Sequence, residues 1–266
     1  MKRRKKQARN VLCGLLAAAS LTLPAHGART VPVHVDGQLL PGTSQLEEGV
    51  TYVPLRYLLD AFGGWEIAWD SSSHTAEASS EHHRLRADPA ADTITVDGME
   101  YEGSVYVENG RTYVPLRLLA NLLGGSAVWD PYFGGAAVTS AEAEYDAAEL
   151  YWLSRIISAE SRGETMEGQI AVGNVVLNRV ESDEFPDTIP AVIFDRVDAV
   201  QFEPVENGTV YHEPSAQSVE AAMRVLDGEE TVEDVMYFYA PALSKGVWIN
   251  ANRTYYTTIG CHRFYL

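Results

Sequence analysis

Apolar and polar positions follow two different periods along this chain. From about residue 30 to 139 they alternate in short runs. Val33-His34-Val35 and Ile94-Thr95-Val96 are examples, and each is closed by Asp-Gly. A period of two belongs to a half-buried strand, and Asp-Gly is a tight-turn signal. Leu55, Leu58, Leu59 and Phe62 interrupt the alternation at helical spacing, beginning beside Pro54 and stopping at Gly63. From Tyr145 onward the helical period dominates. Leu150, Leu153, Ile156 and Ile157 mark a helix over 146–161, broken at Arg162-Gly163, and Thr165 is placed to cap a second helix over 166–181. A short helix around 190–194 and another over 214–227, ending at Gly228, come next. Thr231 and Asp234 fit a capped turn, and strand formers fill the chain from Met236. The pattern predicts an α+β fold of two domains. Residues 28–140 form a β-rich domain with short helices, and residues 141–266 form a helical domain with a small β-sheet. The Ser-Ala-Glu-Ala-Glu stretch at 140–144 is the junction.

The first domain is an internal repeat. Thr51-Tyr52-Val53-Pro54-Leu55-Arg56 returns as Thr112-Tyr113-Val114-Pro115-Leu116-Arg117, Gly63-Gly64 as Gly124-Gly125, and Trp69-Asp70 as Trp129-Asp130. Over roughly residues 30–139 it resembles the N-terminal domain of the copper amine oxidases, a module that recurs as a stalk on secreted bacterial proteins. The name suggests copper, but His34, His74, His82 and His83 lack ligand spacing, and adjacent His82 and His83 point apart on a strand. No metal or cofactor is expected. Arg56 and Arg117 read either as ligand contacts or, more readily, as helix-surface residues that brace the two halves.

Charge narrows the partners. The formal net charge is −17, although residues 1–27 hold Lys2, Arg3, Arg4, Lys5, Lys6 and Arg9 and no acid. So acidic a surface repels nucleic acid phosphates and anionic lipid, which sets both aside. The basic start, the apolar run from Val11 to Leu23 and the small residues around Ala25-His26-Gly27-Ala28 form a secretory signal peptide pattern, with an uncleaved anchor as the alternative. The chain is expected to be secreted, free of the membrane after signal cleavage. Cys13 falls in the leader, so the mature chain would keep Cys261 alone, with no internal disulfide.

Candidate chemistry centres on Glu160. Three or four residues past the last members of the apolar stripe, it directs a carboxyl group toward the core side of its helix, while Ser154, Arg155, Ser158 and Ser161 sit mostly elsewhere. Burial raises a carboxyl pKa, which suits an acid that must keep its proton near neutral pH and give it to a leaving oxygen. Spacing alone leaves a second reading open, a buried Glu paired with Arg162 or Arg179. Gln169, Asn174 and Asn178 lie on a largely apolar helix and need partners, either substrate or neighbouring helices. Tyr237, Phe238, Tyr239, Trp248, Tyr255, Tyr256, Phe264 and Tyr265 offer surfaces for sugar rings, with about half expected in the core. Cys261-His262 invites a cysteine-hydrolase reading, but strand neighbours face opposite ways.

The surrounding motifs carry a resemblance. Ser158-Ala159-Glu160-Ser161-Arg162-Gly163-Glu164 is followed by Glu167-Gly168-Gln169, Val175-Val176-Leu177-Asn178-Arg179-Val180 and Phe185-Pro186-Asp187-Thr188-Ile189. Gln201-Phe202, Tyr237-Phe238-Tyr239 and Thr258-Ile259-Gly260 with His262 and Phe264 come next in order. Over residues 147–266 this is similar to the spore cortex-lytic, cell-wall hydrolase family. The resemblance implies a lysozyme-like catalytic core, peptidoglycan of cell wall or spore cortex as partner, and Glu160 as the catalytic glutamate. It implies supporting or substrate-binding roles for Glu164, Gln169, Asn178, Gln201, Phe202, Tyr237, Tyr239 and His262, with Glu164 also read as the residue that holds the turn between helices. Ser161 and Ala240 depart from the family's alanine and asparagine, and the spore enzymes' usual peptidoglycan-binding module is absent. The expected reaction is lytic transglycosylation at the β-1,4 bond between muramic acid and glucosamine, because Glu160 is the one convincing acid. The alternatives are a hydrolytic glycosidase on the same substrate and a non-catalytic wall-binding protein. Residues 28–140 are expected to position the enzyme at the wall and to do no chemistry.

Overall fold

The computed structural model describes residues 28–197 and 200–266. The signal-peptide pattern lies outside the described residues. The first domain contains strands β1 (Arg29–Val31), β2 (Val33–Val35), β3 (Gln38–Leu39), β4 (Ser44–Glu47) and β5 (Val50–Pro54), then helix α1 (Leu55–Phe62). Strands β6 (Glu66–Asp70), β7 (Thr75–Ser79), β8 (Arg84–Asp88), β9 (Thr93–Val96), β10 (Met99–Glu102), β11 (Tyr106–Glu108) and β12 (Arg111–Pro115) precede α2 (Leu116–Leu122). Strands β13 (Ser126–Asp130) and β14 (Gly135–Thr139) close the domain.

The repeat becomes a local two-fold. In the central sheet, ordered β1-β4-β5-β12-β11, the duplicated strands β5 and β12 pair antiparallel with Val53 opposite Val114. These are the same position of the two repeats, so the axis passes between them. Both Asp-Gly corners take left-handed backbone at each residue, Asp36 and Gly37 at φ 48° and 79° and Asp97 and Gly98 at 52° and 84°, the geometry such a two-residue hairpin turn requires. Strand β2 supplies from the chain start what β9 supplies in the first half, and it pairs parallel with β14. Arg56 and Arg117 do not brace the halves against each other. Arg56 Nη2 donates to the Ile67 carbonyl at 3.3 Å and Arg117 Nε to Ala127 at 3.2 Å, each tying its helix to the next strand of its own half.

The second domain is built on α3 (Ala147–Ser161) and α4 (Met166–Glu181), with α5 (Ile189–Ile193), α6 (Glu203–Asn207), a 3-10 turn at Thr209–Tyr211 and α7 (Ala216–Leu226) around them. Strand β15 (Tyr237–Tyr239), helix α8 (Val247–Asn252) and strands β16 (Tyr255–Ile259) and β17 (His262–Tyr265) complete it, the sheet running β15-β17-β16. Asp146 caps α3 by accepting from Ala148 and Glu149 amides, and Thr165 caps α4 by accepting from Gly168. No helix forms at Thr231–Asp234, because the Thr231 amide and hydroxyl both donate to Asn174 Oδ1 on α4. No helix among the described residues is long and apolar enough to cross a membrane.

Helix α3 is buried on nearly every side. Trp152, Leu153, Ile156 and Ile157 are fully enclosed, and so, against expectation, are Ser154, Arg155, Ser158 and Ser161. Part of the cover is the segment before α7, where the Ser215 amide donates to Ser158 Oγ at 3.2 Å, and part is the first domain. Tyr132 and Phe133, in the β13–β14 turn, pack into the second domain's core, and buried Asp130 accepts from Trp152 Nε1 at 2.6 Å while its other oxygen holds the Tyr132 and Phe133 amides. Arg155 lies 3.5 Å over the Tyr151 ring and reaches Glu213 at 3.2 Å.

Candidate active site

Glu160 sits in the last turn of α3, half-buried, and among the described residues no group hydrogen-bonds its carboxyl or pairs with it within 4 Å. Burial pushes its pKa up to about 7, the negative charge of Glu203 adds to the rise, and Arg179 opposes it weakly. The Glu–Arg pair left open by spacing does not form. Arg162 spends its guanidinium on Ser158 Oγ at 3.2 Å and the Glu213 carbonyl at 2.7 Å. Arg179 donates from Nε to the Met236 carbonyl at 2.8 Å, and its Nη1 is buried without a partner. Its guanidinium is sandwiched among Phe185, Phe202 and Tyr237, 4.9 to 5.6 Å from their centroids, and burial lowers its pKa to about 10.

The chain turns at the end of α3 because Arg162 and Gly163 leave the helix before Thr165 caps the next. Glu164, in that turn, is held from every side. Its Oε2 accepts from the Cys261 amide at 3.1 Å, its Oε1 is 3.9 Å from His262 Nδ1, and its carbonyl accepts from Gln169 and Gln217. Gly260, at φ 54°, is the residue that admits this contact: a side chain there would overlap the Glu164 carboxylate. Glu164 thus pins the helix–helix turn to the β16–β17 corner. Cys261 occupies that corner, exposed, while His262 faces the core against the Phe238 ring at 5.4 Å. Burial lowers the His262 pKa, opposed by Glu164.

The other predicted residues separate into two groups. Gln169 is fully buried and fully used: its oxygen accepts from Ser218 Oγ at 2.8 Å and its amide donates to the Arg162 and Glu164 carbonyls. Asn178 donates to the Val235 carbonyl at 3.0 Å, and Asn174 bridges Glu229 and Thr231. These amides join helices to loops; the polar atoms of Gln169 are all committed inside, and Asn178, half-buried, uses its Nδ2 on the Val235 carbonyl. Tyr237 and Tyr239 are half-buried and lie nearer the open side, whereas Phe202 is enclosed in the core. Phe202 caps α6 beside half-buried Gln201 and lies 6.4 Å from Phe238. Alternation on β15 sends Phe238 toward Phe202, His262 and Phe264, while Tyr237 joins Trp248 at 5.9 Å and takes the Arg253 guanidinium on its hydroxyl at 2.6 Å. Tyr239 bonds Asn250, and Trp248, Tyr255 and Tyr256 are exposed.

Glu203 is the residue that sequence reading missed. It opens α6, where a carboxylate suits the helix N-terminus, and it brings a second acid within electrostatic reach of Glu160. The Glu203-Pro204 pair, a helix start one residue after Phe202, was its only local signal. His34 packs between Phe133 and Tyr151, His83 bonds Asp97 at 2.7 Å, and among the described residues no three His, Cys, Asp or Glu side chains converge.

Comparison with known proteins gives this geometry a class. Residues 163–265 match the Cell Wall Hydrolase model and residues 35–134 the Copper amine oxidase N-terminal domain. Over its C-terminal domain the chain is similar to the cell wall hydrolase family. It is 31% identical over 145 residues to a spore cortex-lytic enzyme of Oceanobacillus iheyensis, covering 54% of this chain and 51% of that one. It is 33% identical over 116 residues to the Bacillus subtilis spore cortex-lytic enzyme, covering 44% of this chain and 37% of that one. The chain therefore spans about half or less of these relatives. Among solved structures it is similar to the catalytic domain of the germination-specific lytic transglycosylase SleB from Bacillus anthracis, with 31% identity, a TM-score of 0.41, and coverage of 46% of this chain and 98% of that one.

Proposed function

We propose that this chain cleaves the β-1,4 bond between muramic acid and glucosamine in peptidoglycan of the cell wall or spore cortex, by lytic transglycosylation with Glu160 as the acid. The observation that carries the reading is the Glu160 carboxyl itself, desolvated, without a partner, and raised to about 7 inside a domain similar to the cell wall hydrolase family. A carboxyl of that pKa is still about half protonated at neutral pH. Glu160 gives its proton to the glycosidic oxygen as the bond to the muramic anomeric carbon breaks and positive charge develops on the ring. The 6-hydroxyl oxygen of the same sugar then bonds to that carbon, and its proton returns to Glu160. The leaving glucosamine end keeps the first proton, so the enzyme is restored and no water is consumed. Tyr237 and Tyr239 offer ring faces to the sugars, Phe202 packs in the core beneath them, and Glu164 and His262 hold the wall of the site. The chain is exported by its leader and works in the wall or spore envelope.

Glu203 favours a second reading. A second carboxylate beside the acid is what a hydrolase needs to activate water or to trap the sugar covalently. Turbidity clearing of purified vegetative and cortex sacculi tests the activity. The wild type clears at least one of them, and Glu160→Gln clears neither while melting like the wild type. Clearing by Glu160→Gln at the wild-type rate would remove Glu160 from the chemistry.

A further inference from the structure

Two open grooves in the first domain are copies of one another, and neither belongs to the site around Glu160. One, of about 560 Å³, lies between the start of α1, strand β6 and the β11–β12 hairpin. The other, of about 580 Å³, lies between α2, strand β13 and the β4–β5 hairpin. Each takes its helix from one half of the repeat and its hairpin from the other, so neither half could form a groove alone. Equivalent residues line both: Arg56 and Arg117, Trp69 and Trp129, Ala76 and Ala136. Both tryptophans remain exposed, at 44% and 38% of their surface. Strand packing would bury so large a ring at little cost, and here it is left open twice.

The charge around the grooves is as telling as their shape. The domain has no lysine and six arginines within a strongly acidic surface. Four of the six stand at the grooves. Arg56 and Arg111 line the first, with the Arg111 guanidinium 5.9 Å from the Tyr57 ring, and Arg117 lines the second, with Arg29 5.9 Å over the Trp129 ring. An indole floor matches the apolar face of a sugar ring, and a guanidinium at its edge matches a carboxylate. A ligand that offers both at a regular repeat is a glycan whose sugars bear lactyl or stem-peptide carboxylates.

We infer that the two tryptophan-floored grooves of the first domain are a pair of peptidoglycan glycan-binding sites, centred on Trp69 and Trp129, that hold the enzyme on the wall. A glycan strand has direction, and the two-fold between Val53 and Val114 turns one groove end for end relative to the other. A single straight strand does not run the same way through both, so each groove takes its own strand, and engagement of both multiplies the hold on an intact wall. The choice of ligand rests on the reaction proposed above, but the sites are separate from it.

The test uses the full chain bearing Glu160→Gln, so that the wall stays intact during measurement. Co-sedimentation with purified sacculi gives its apparent Kd, and Trp69→Ala, Trp129→Ala and the double variant are compared after melting curves confirm that each is folded. Each single change weakens binding severalfold, and the double change weakens it tenfold or more. In chains that keep Glu160, the double variant cleaves soluble glycan fragments at the wild-type rate. Arg29→Gln with Arg111→Gln weakens binding to intact sacculi and leaves binding unchanged to sacculi whose carboxylates have been amidated with carbodiimide and ammonia. A double tryptophan variant that binds within twofold of its parent overturns the proposal. So does a parent chain with no affinity for sacculi, or a self-associated chain that the tryptophan changes render monomeric. Binding that fails in the double variant while the wild type never cleaves would refute the reaction and leave these sites standing.

Discussion

At its first turns α3 finds partners for most of its polar groups: Asp130 receives Trp152, Glu213 receives the Arg155 Nη2, and the aromatics of the β13–β14 turn close over Tyr151 and Trp152. At its last turn the same helix carries Glu160 into a desolvated place and provides nothing to bond it. Four residues further on, Glu164 is again fully engaged, by a backbone amide, a nearby imidazole and a glycine shaped to admit it. Burying a carboxyl without a partner costs stability. Of the two glutamates at this helix end, Glu164 is answered and Glu160 is not, and Glu160 has the pKa of a general acid. Burial alone is therefore no guide to function here. The unanswered group is.

Substitution at the two glutamates breaks or sharpens this contrast most strongly. Glu160→Gln is expected to lower the cleavage rate on sacculi by about a thousandfold or more, within or near the usual range for a general acid. Glu164→Gln weakens the turn and is expected to lower the rate by less than about tenfold. Rates from turbidity clearing, with melting curves as the fold control, separate the two. Equal losses would make the contrast between the two glutamates meaningless.

The pH profile is the next largest effect. Glu160 works protonated, so kcat/KM on soluble fragments is expected to fall about tenfold per pH unit above an apparent pKa near 7. Removing the neighbouring charge by Glu203→Gln lowers the Glu160 pKa, so the falling limb moves toward acid. A limb that stays in place would show that Glu203 is not felt at the site.

Stability carries the same signature with opposite consequences. The native state holds the Glu160 proton more tightly than the unfolded chain does. Its ionisation therefore takes stability away as pH rises from the ordinary carboxylate value of 4.5 toward 7. Glu160→Gln is expected to be the more stable protein at pH 8, by up to about 3 kcal/mol, and to lose that advantage below pH 4. Urea titrations at the two pH values measure it. At the other end of the helix, Asp130→Asn leaves one of three donors facing an amide N–H and is expected to cost about 1–3 kcal/mol at every pH from 5 to 8, with cleavage of soluble fragments unchanged. A large loss of activity there would mean that the domain junction shapes the site.

What was legible in the sequence was what short-range physics decides. The cap at Thr165, the stop after Ser161, the Asp-Gly corners and the inward direction of Glu160 all follow from neighbours within a turn or two. The repeat predicted the symmetric grooves' parts but not that each groove would be shared between halves. The all-round burial of α3 was hidden, since its extra cover comes partly from Tyr132 and Phe133 in the other domain and partly from the distant segment before α7. Glu203 was hidden for the same reason: five residues of helix α6 bring it beside Glu160 from 43 positions away, and no periodicity spans that distance. Thr231 looked like a cap and became a partner of Asn174, a long-range bond overriding a local preference.

The central claim is that one carboxyl does the chemistry without a water nucleophile, and mass spectrometry of the fragments released from purified sacculi tests it most directly. The account predicts that the wild type releases fragments ending in 1,6-anhydro-muramic acid, one water lighter than hydrolytic products, and that Glu160→Gln releases none. Reducing muramic or glucosamine ends as the main product, or anhydro ends from Glu160→Gln at the wild-type rate, would contradict it.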